Sequence, residues 1–142
     1  MSQHDPVQSP SHYRGASGIQ SIAITHAYRL GPDLTQAVDY ILRAGRKTSD
    51  PRQDLGKAAF YLRYAGKHAR DLVFGLPTET RPTPSEITAD FDLDAYRALA
   101  LAEVLAPHPT PDRLLVAAGL LDRASDAWSR AQMPAANTGR AA

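Results

Sequence analysis

A chain of 142 residues, 43% of them hydrophobic, is long enough for one domain around one core, and one domain is the expectation. No apolar run reaches the length of a membrane span, cysteine is absent, and the formal net charge is only +1. This excludes disulfides, thiolate catalysis and cysteine-type zinc sites, and overall charge points to no polyanionic partner.

In chain order, residues 1–17 are rich in Ser, Gln, Pro and His and read as an extended, mobile segment. They lack an apolar h-region, so no signal peptide is expected, and the location expected is cytoplasmic (host cytoplasm if the chain is phage-encoded). Ile19, Ile22, Ala23 and Ala27 recur at helical spacing and predict a first helix from about Ile19 to Leu30, ended by Gly31-Pro32. Asp33 is the expected N-cap of a second helix, with Leu34, Ala37, Val38, Ile41 and Leu42 as its apolar stripe and Gly45 at its C-terminal end. Asp50-Pro51-x-Gln53 reads as a capping box for a third helix, whose buried stripe is Leu55, Ala58, Ala59, Leu62 and Ala69. A second stripe, Asp54, Lys57, Tyr61, Tyr64 and His68, falls on another face of that helix.

Three prolines make residues 75–84 a linker, with a weak strand signal just before it at Leu72–Leu76. Thr83-Pro84-Ser85-Glu86 repeats the capping-box pattern and opens a short helical piece. Helices from about Asp92 to Ala106 and from Thr110-Pro111 onward follow, and residues 133–142 read as a disordered tail. The expected fold is all-α, about five helices, with a helical core over 18–74 and a C-terminal helical hairpin over 85–132.

Charge is unevenly spread. Residues 43–70 carry Arg43, Arg46, Lys47, Arg52, Lys57, Arg63, Lys67 and Arg70 against Asp50 and Asp54, while residues 79–103 are mostly acidic. The two regions pair across an interface, or the basic one binds an anion. No P-loop, dinucleotide fingerprint, HExxH or nucleophile-elbow sequence is present, and the histidines are too dispersed for a metal site. Arg43, Arg46 and Lys47 can hold phosphate oxygens or simply complement a helix C-terminus, and Asp39 one turn before Arg43 competes for it. Tyr61 and Tyr64 can stack on a base or only pack. Asp54 can hold Mg²⁺ through water, orient a hydroxyl or complement the dipole, with Lys57 as a partner three residues on.

His12-Tyr13, Gly18-Ile19, Ala37-Val38, the run Tyr40-Ile41-Leu42-Arg43-Ala44-Gly45-Arg46-Lys47, Asp54-Leu55, Lys57-Ala58 and Tyr61-Leu62 together resemble the small SaV-like family of phages and prophages. That family includes a coliphage nucleotide kinase without a P-loop. The resemblance covers residues 5–66. It implies a homo-oligomeric nucleotide-binding protein, able as a kinase to move a phosphoryl group from ATP with Mg²⁺ to a deoxynucleoside monophosphate. By position it points to His12, Tyr13, Arg43, Lys47, Asp54, Lys57 and Tyr61. The family's acidic residues along the first helix are replaced here by Gln20, Ala23 and His26, its Gly-Asn by Thr35-Gln36, and its lysine before the tyrosine by Asp39. The alternatives are a non-catalytic helical module that sequesters a nucleotide, and a nucleic-acid binder using the basic stretch 43–70.

Overall fold

The computed structural model describes residues 13–134. Among them the chain is all-α: α1 (Ser21–Ala27), α2 (Pro32–Arg43), α3 (Arg52–His68), α4 (Pro84–Phe91), α5 (Ala95–Val104) and α6 (Pro111–Ala131). Six helices form because the Thr83 piece is a complete helix of its own. Asp92, in the left-handed region at φ 53°, ends α4, and Asp94 caps α5, so α5 begins later than Asp92. None of these helices is long and apolar enough to cross a membrane. The expected mobile start and disordered tail fall mostly on residues 1–12 and 135–142, outside the described residues.

α2 carries the expected stripe: Leu34, Ala37, Val38, Ile41 and Leu42 are all buried. Its N-cap is Gly31 rather than Asp33. Pro32 takes the first helical position, which moves Asp33 into the first turn, where it complements the dipole. Gly45 at φ 80° turns the chain away, and Arg97 Nη1 donates to the Ala44 carbonyl at 2.7 Å. The cap of α3 differs from expectation too. Asp50 Oδ1 accepts from the Arg52 backbone N–H at 3.0 Å, and its carboxylate is held by the Arg52 guanidinium at 2.7 Å, so no capping box with Gln53 forms. Ala69 is exposed, not buried, because it is the left-handed residue that closes α3. At α4 the full capping box is present, with Thr83 and Glu86 bonded reciprocally.

α1 corrects the sequence reading most. It buries Ser21, Ile24 and Thr25, while Ile22 is 58% exposed and Ala23 is exposed. The face is chosen by distant parts of the chain. The Arg14–Gln20 bridge and the Gly15 N–H bond to the Ile19 carbonyl keep Ile19 out of the helix. At the other end Tyr28 is buried, and its hydroxyl donates to the Pro82 carbonyl at 2.6 Å.

Helix α3 is the axis of the packing. α2 lies against one side, α6 runs along another, and α5 closes onto α6. One continuous apolar cluster runs from Ile24 through Leu62 to Leu121 and Ala124, so the N-terminal core and the C-terminal helices share one interior. The segment after α3 folds back as a strap over the end of α1. Gly31 N–H donates to Leu72 O (2.8 Å), Phe74 N–H to Arg29 O (2.7 Å) and Thr78 N–H to Ala27 O (2.8 Å). The strand signal there is realised only as an isolated Leu30–Val73 bridge.

Candidate functional site

The last turn of α2 and the first turn of α3 face each other across the 44–51 connection. Arg43 comes from the first and Asp54 from the second, and Arg43 Nε lies 3.2 Å from Asp54 Oδ2. Arg43 Nη1 donates to the Tyr13 hydroxyl at 2.8 Å. The guanidinium also sits 5.8 Å from the Tyr13 ring centroid and 5.2 Å from that of Tyr40. Burial pulls Arg43 down, but its hydrogen bonds to Tyr13 and Asp54 outweigh that and hold it above its ordinary value.

Around this pair lies a cavity of about 130 Å³ lined by Arg43, Lys47, Thr48, Asp50, Gln53 and Asp54. It is small beside the roughly 300–1,000 Å³ of drug-sized ligand pockets, so it admits a phosphate-sized group rather than a whole nucleotide. Asp50 is lowered to about 2 by its hydrogen bonds to Arg52, so it is charged at neutral pH. The wall therefore alternates cations and carboxylates. Beside it Tyr40 stacks on Tyr61 with centroids 6.1 Å apart and planes 11° off parallel, and Lys57 Nζ lies 5.4 Å from the Tyr40 centroid.

The structure thus gathers Tyr13, Arg43, Lys47, Asp54, Lys57 and Tyr61, but the pairings differ from those weighed in the sequence. Arg43 pairs with Asp54 rather than Asp39, and Lys57 faces an aromatic ring rather than Asp54. Arg46 is not part of the cluster. Its Nη2 donates to the Arg14 carbonyl at 2.7 Å, and its guanidinium lies 5.3 Å from the Phe91 centroid. His12 lies outside the described residues. Tyr40 belongs to the run that carries the family resemblance, and its position three residues before Arg43 puts both side chains on one face of α2. Among the described residues no three His, Asp or Glu side chains are grouped to hold a metal ion.

Among the described residues of one chain, the two charged regions do not meet through ion pairs. Arg43, Arg52 and Arg63 pair with Asp54, Asp50 and Asp122, and in the acidic region Asp94 and Glu103 pair with Arg97 and Arg113.

Asp39 lines a separate, larger cavity of about 760 Å³ between α1, α2 and the strap, beside Ile22, Arg29 and Phe74. Burial raises its carboxyl above the ordinary value, against lowering by a Ser21 hydrogen bond and the Arg43 charge, and its Oδ1 has no hydrogen-bond partner among the described residues. A raised folded value means the fold favours the protonated acid. Stability then falls as pH rises from the ordinary 3.8 through the folded value, and Asp39 is a burden at neutral pH. Asp39→Asn is expected to raise the melting temperature at pH 7, with the gain vanishing once the wild-type carboxyl is protonated in both states. Melts across pH check this. A loss at pH 7 would mean that attraction to Arg43 outweighs burial.

Residues 7–63 match the model of a family described as a protein of unknown function, DUF3310. The matched stretch is less than half of the chain and takes in α1, α2 and most of α3, with every described member of the Arg43 cluster. No curated protein and no solved structure matches the chain.

Proposed function

We propose that this is an SaV-like nucleotide-binding protein. In this reading the α2–α3 junction holds the phosphates and the Tyr40–Tyr61 pair packs the base. The observation that carries it is the small cavity in which Arg43 and Lys47 meet the first turn of α3 beside stacked aromatic rings. A helix N-terminus and forked or point cations are the usual means of holding phosphate oxygens. Lys47, exposed in the connecting loop, is the free-reaching cation, and Arg43, fixed by Asp54 and Tyr13, is the positioned one.

Phosphoryl transfer is the reaction this reading assigns to the site. A phosphate oxygen of a deoxynucleoside monophosphate attacks the γ-phosphorus of ATP, the β–γ bridge breaks, and ADP leaves. Such transfer depends on positioned charge more than on covalent chemistry. Mg²⁺ would arrive with the triphosphate, since it commonly keeps several waters and only one or two carboxylates. Asp54 and Lys57 would orient it and the acceptor. The second reading, binding without turnover, is favoured by the uncharged or basic residues Gln20, Ala23 and His26 along the first helix.

The test is labelled ATP with Mg²⁺ and a panel of deoxynucleoside monophosphates, alongside equilibrium dialysis of the same nucleotides. Lys47→Ala is expected to weaken nucleotide binding about tenfold, the worth of one charge-assisted contact, and to abolish any transfer. Binding with no transfer in the parent protein selects the sequestering module. Unchanged affinity in Lys47→Ala would remove the phosphate site from this junction.

A further inference from the structure

We propose that the outer face of α3 is a binding surface for single-stranded nucleic acid. Phe60 is 61% exposed and Tyr64 45% exposed, an unusual pair of neighbours for a water-facing helix. Their rings stack with centroids 6.2 Å apart, and Tyr64 meets His68 at 4.2 Å. Phe60 meets Tyr61 edge-on at 5.4 Å, and Tyr61 stacks on Tyr40. Five rings are therefore in unbroken contact from the end of α3 to the end of α2. The helical spacing of 60, 64 and 68 puts the three outermost on one line.

Cations border this line. Lys57 and Lys67 share its face, Arg63 lies beside it paired with Asp122, and Arg70 follows the helix end. From residue 55 to residue 70 there is no Asp or Glu. Exposed aromatic rings with basic side chains alongside are what a single strand requires, since every base offers a flat face and every phosphate a charge. A two-fold contact centred on the rings is disfavoured here, because it would set Lys57 of one copy against Lys67 of the other. A duplex keeps its bases stacked on one another and cannot use the rings.

The surface lies outside the lining of the Arg43–Lys47 cavity, meets the Tyr40–Tyr61 pair at one end and shares Lys57 with it, but does not rest on the nucleotide reading. Fluorescence anisotropy with a labelled oligo-dT of about 15 nucleotides, near the upper site size for such proteins, tests it. The parent protein should bind the strand more tightly than a duplex of equal length, with affinity falling steeply as salt rises. Phe60→Ala with Tyr64→Ala should weaken strand binding about 30-fold, leaving the helical circular dichroism unchanged. Lys67→Ala should reduce the salt slope by about one, and Tyr64→Phe should keep full affinity. No binding by the parent protein overturns the proposal. So does a double variant that keeps strand affinity but loses self-association in light scattering, which would make this face a contact between copies.

Discussion

Arg43→Ala is expected to cost about 3 kcal/mol of folding stability, the lower end for removing one partner of a buried ion pair. The Arg43 and Asp54 side chains are only 16% and 10% exposed, so truncation strands a carboxylate that water reaches poorly. It also removes the hydrogen bond to Tyr13 and the cation beside Tyr40. Most of the cost belongs to the stranded charge, not to the lost attraction. Asp54→Asn should cost less, because an Asn carbonyl still accepts from Arg43 Nε and Tyr13 and Tyr40 still hold the guanidinium, and Arg43→Met combined with Asp54→Leu should recover much of the loss. Urea unfolding followed by circular dichroism measures all three. A loss below about 1 kcal/mol would put the pair in the class of exposed ion pairs. The consequence for function is practical. Failure of Arg43→Ala to bind a nucleotide does not by itself assign Arg43 to the ligand, whereas the exposed Lys47 can be removed without stranding a buried charge.

Gly31→Ala should lower the melting temperature by about 10 °C, corresponding to about 3 kcal/mol of overpacking. The cause is space and not backbone freedom. Gly31 has φ −72°, which alanine adopts readily, but a Cβ there would lie 1.6 Å from the Asp71 carbonyl oxygen and 3.2 Å from that of Leu72. The strap would have to move away, breaking the Gly31 bond to Leu72 and loosening the Phe74 bond to Arg29. Amide exchange at Phe74 should quicken in parallel. An unchanged melting temperature would show that the strap yields freely, and that α1 does not depend on it.

What could be read in the sequence was whatever is settled within a few residues. The α2 stripe, the turn at Gly45, the Thr83–Glu86 box and the Thr110 cap of α6 are local agreements of propensity and hydrogen bonding, and all are present. The buried face of α1 was not legible. Ile22 and Ile24 are equally apolar, and the choice between them is made by Tyr28 reaching Pro82 and by the strap. The same holds for the site. Arg43, Lys47 and Asp54 flank one short connection, so their approach follows from two helices turning back on each other. Arg46 looked equivalent to them but is drawn off by Arg14 and Phe91, which nothing near residue 46 announces. Phe60 is not legible as a surface ring because it belongs to neither stripe that the spacing of α3 defines.

Helix α6 supplies the cover for the apolar side of α3, burying Leu114, Ala118 and Leu121 against the same interior as Leu55, Ala59 and Leu62. Because that cover is tethered to what it covers, its effective concentration is fixed by the connecting chain and does not fall on dilution. The interior of α3 therefore stays closed however scarce the protein is. The apolar side of α3 is covered within one copy, with no second chain needed to bury it.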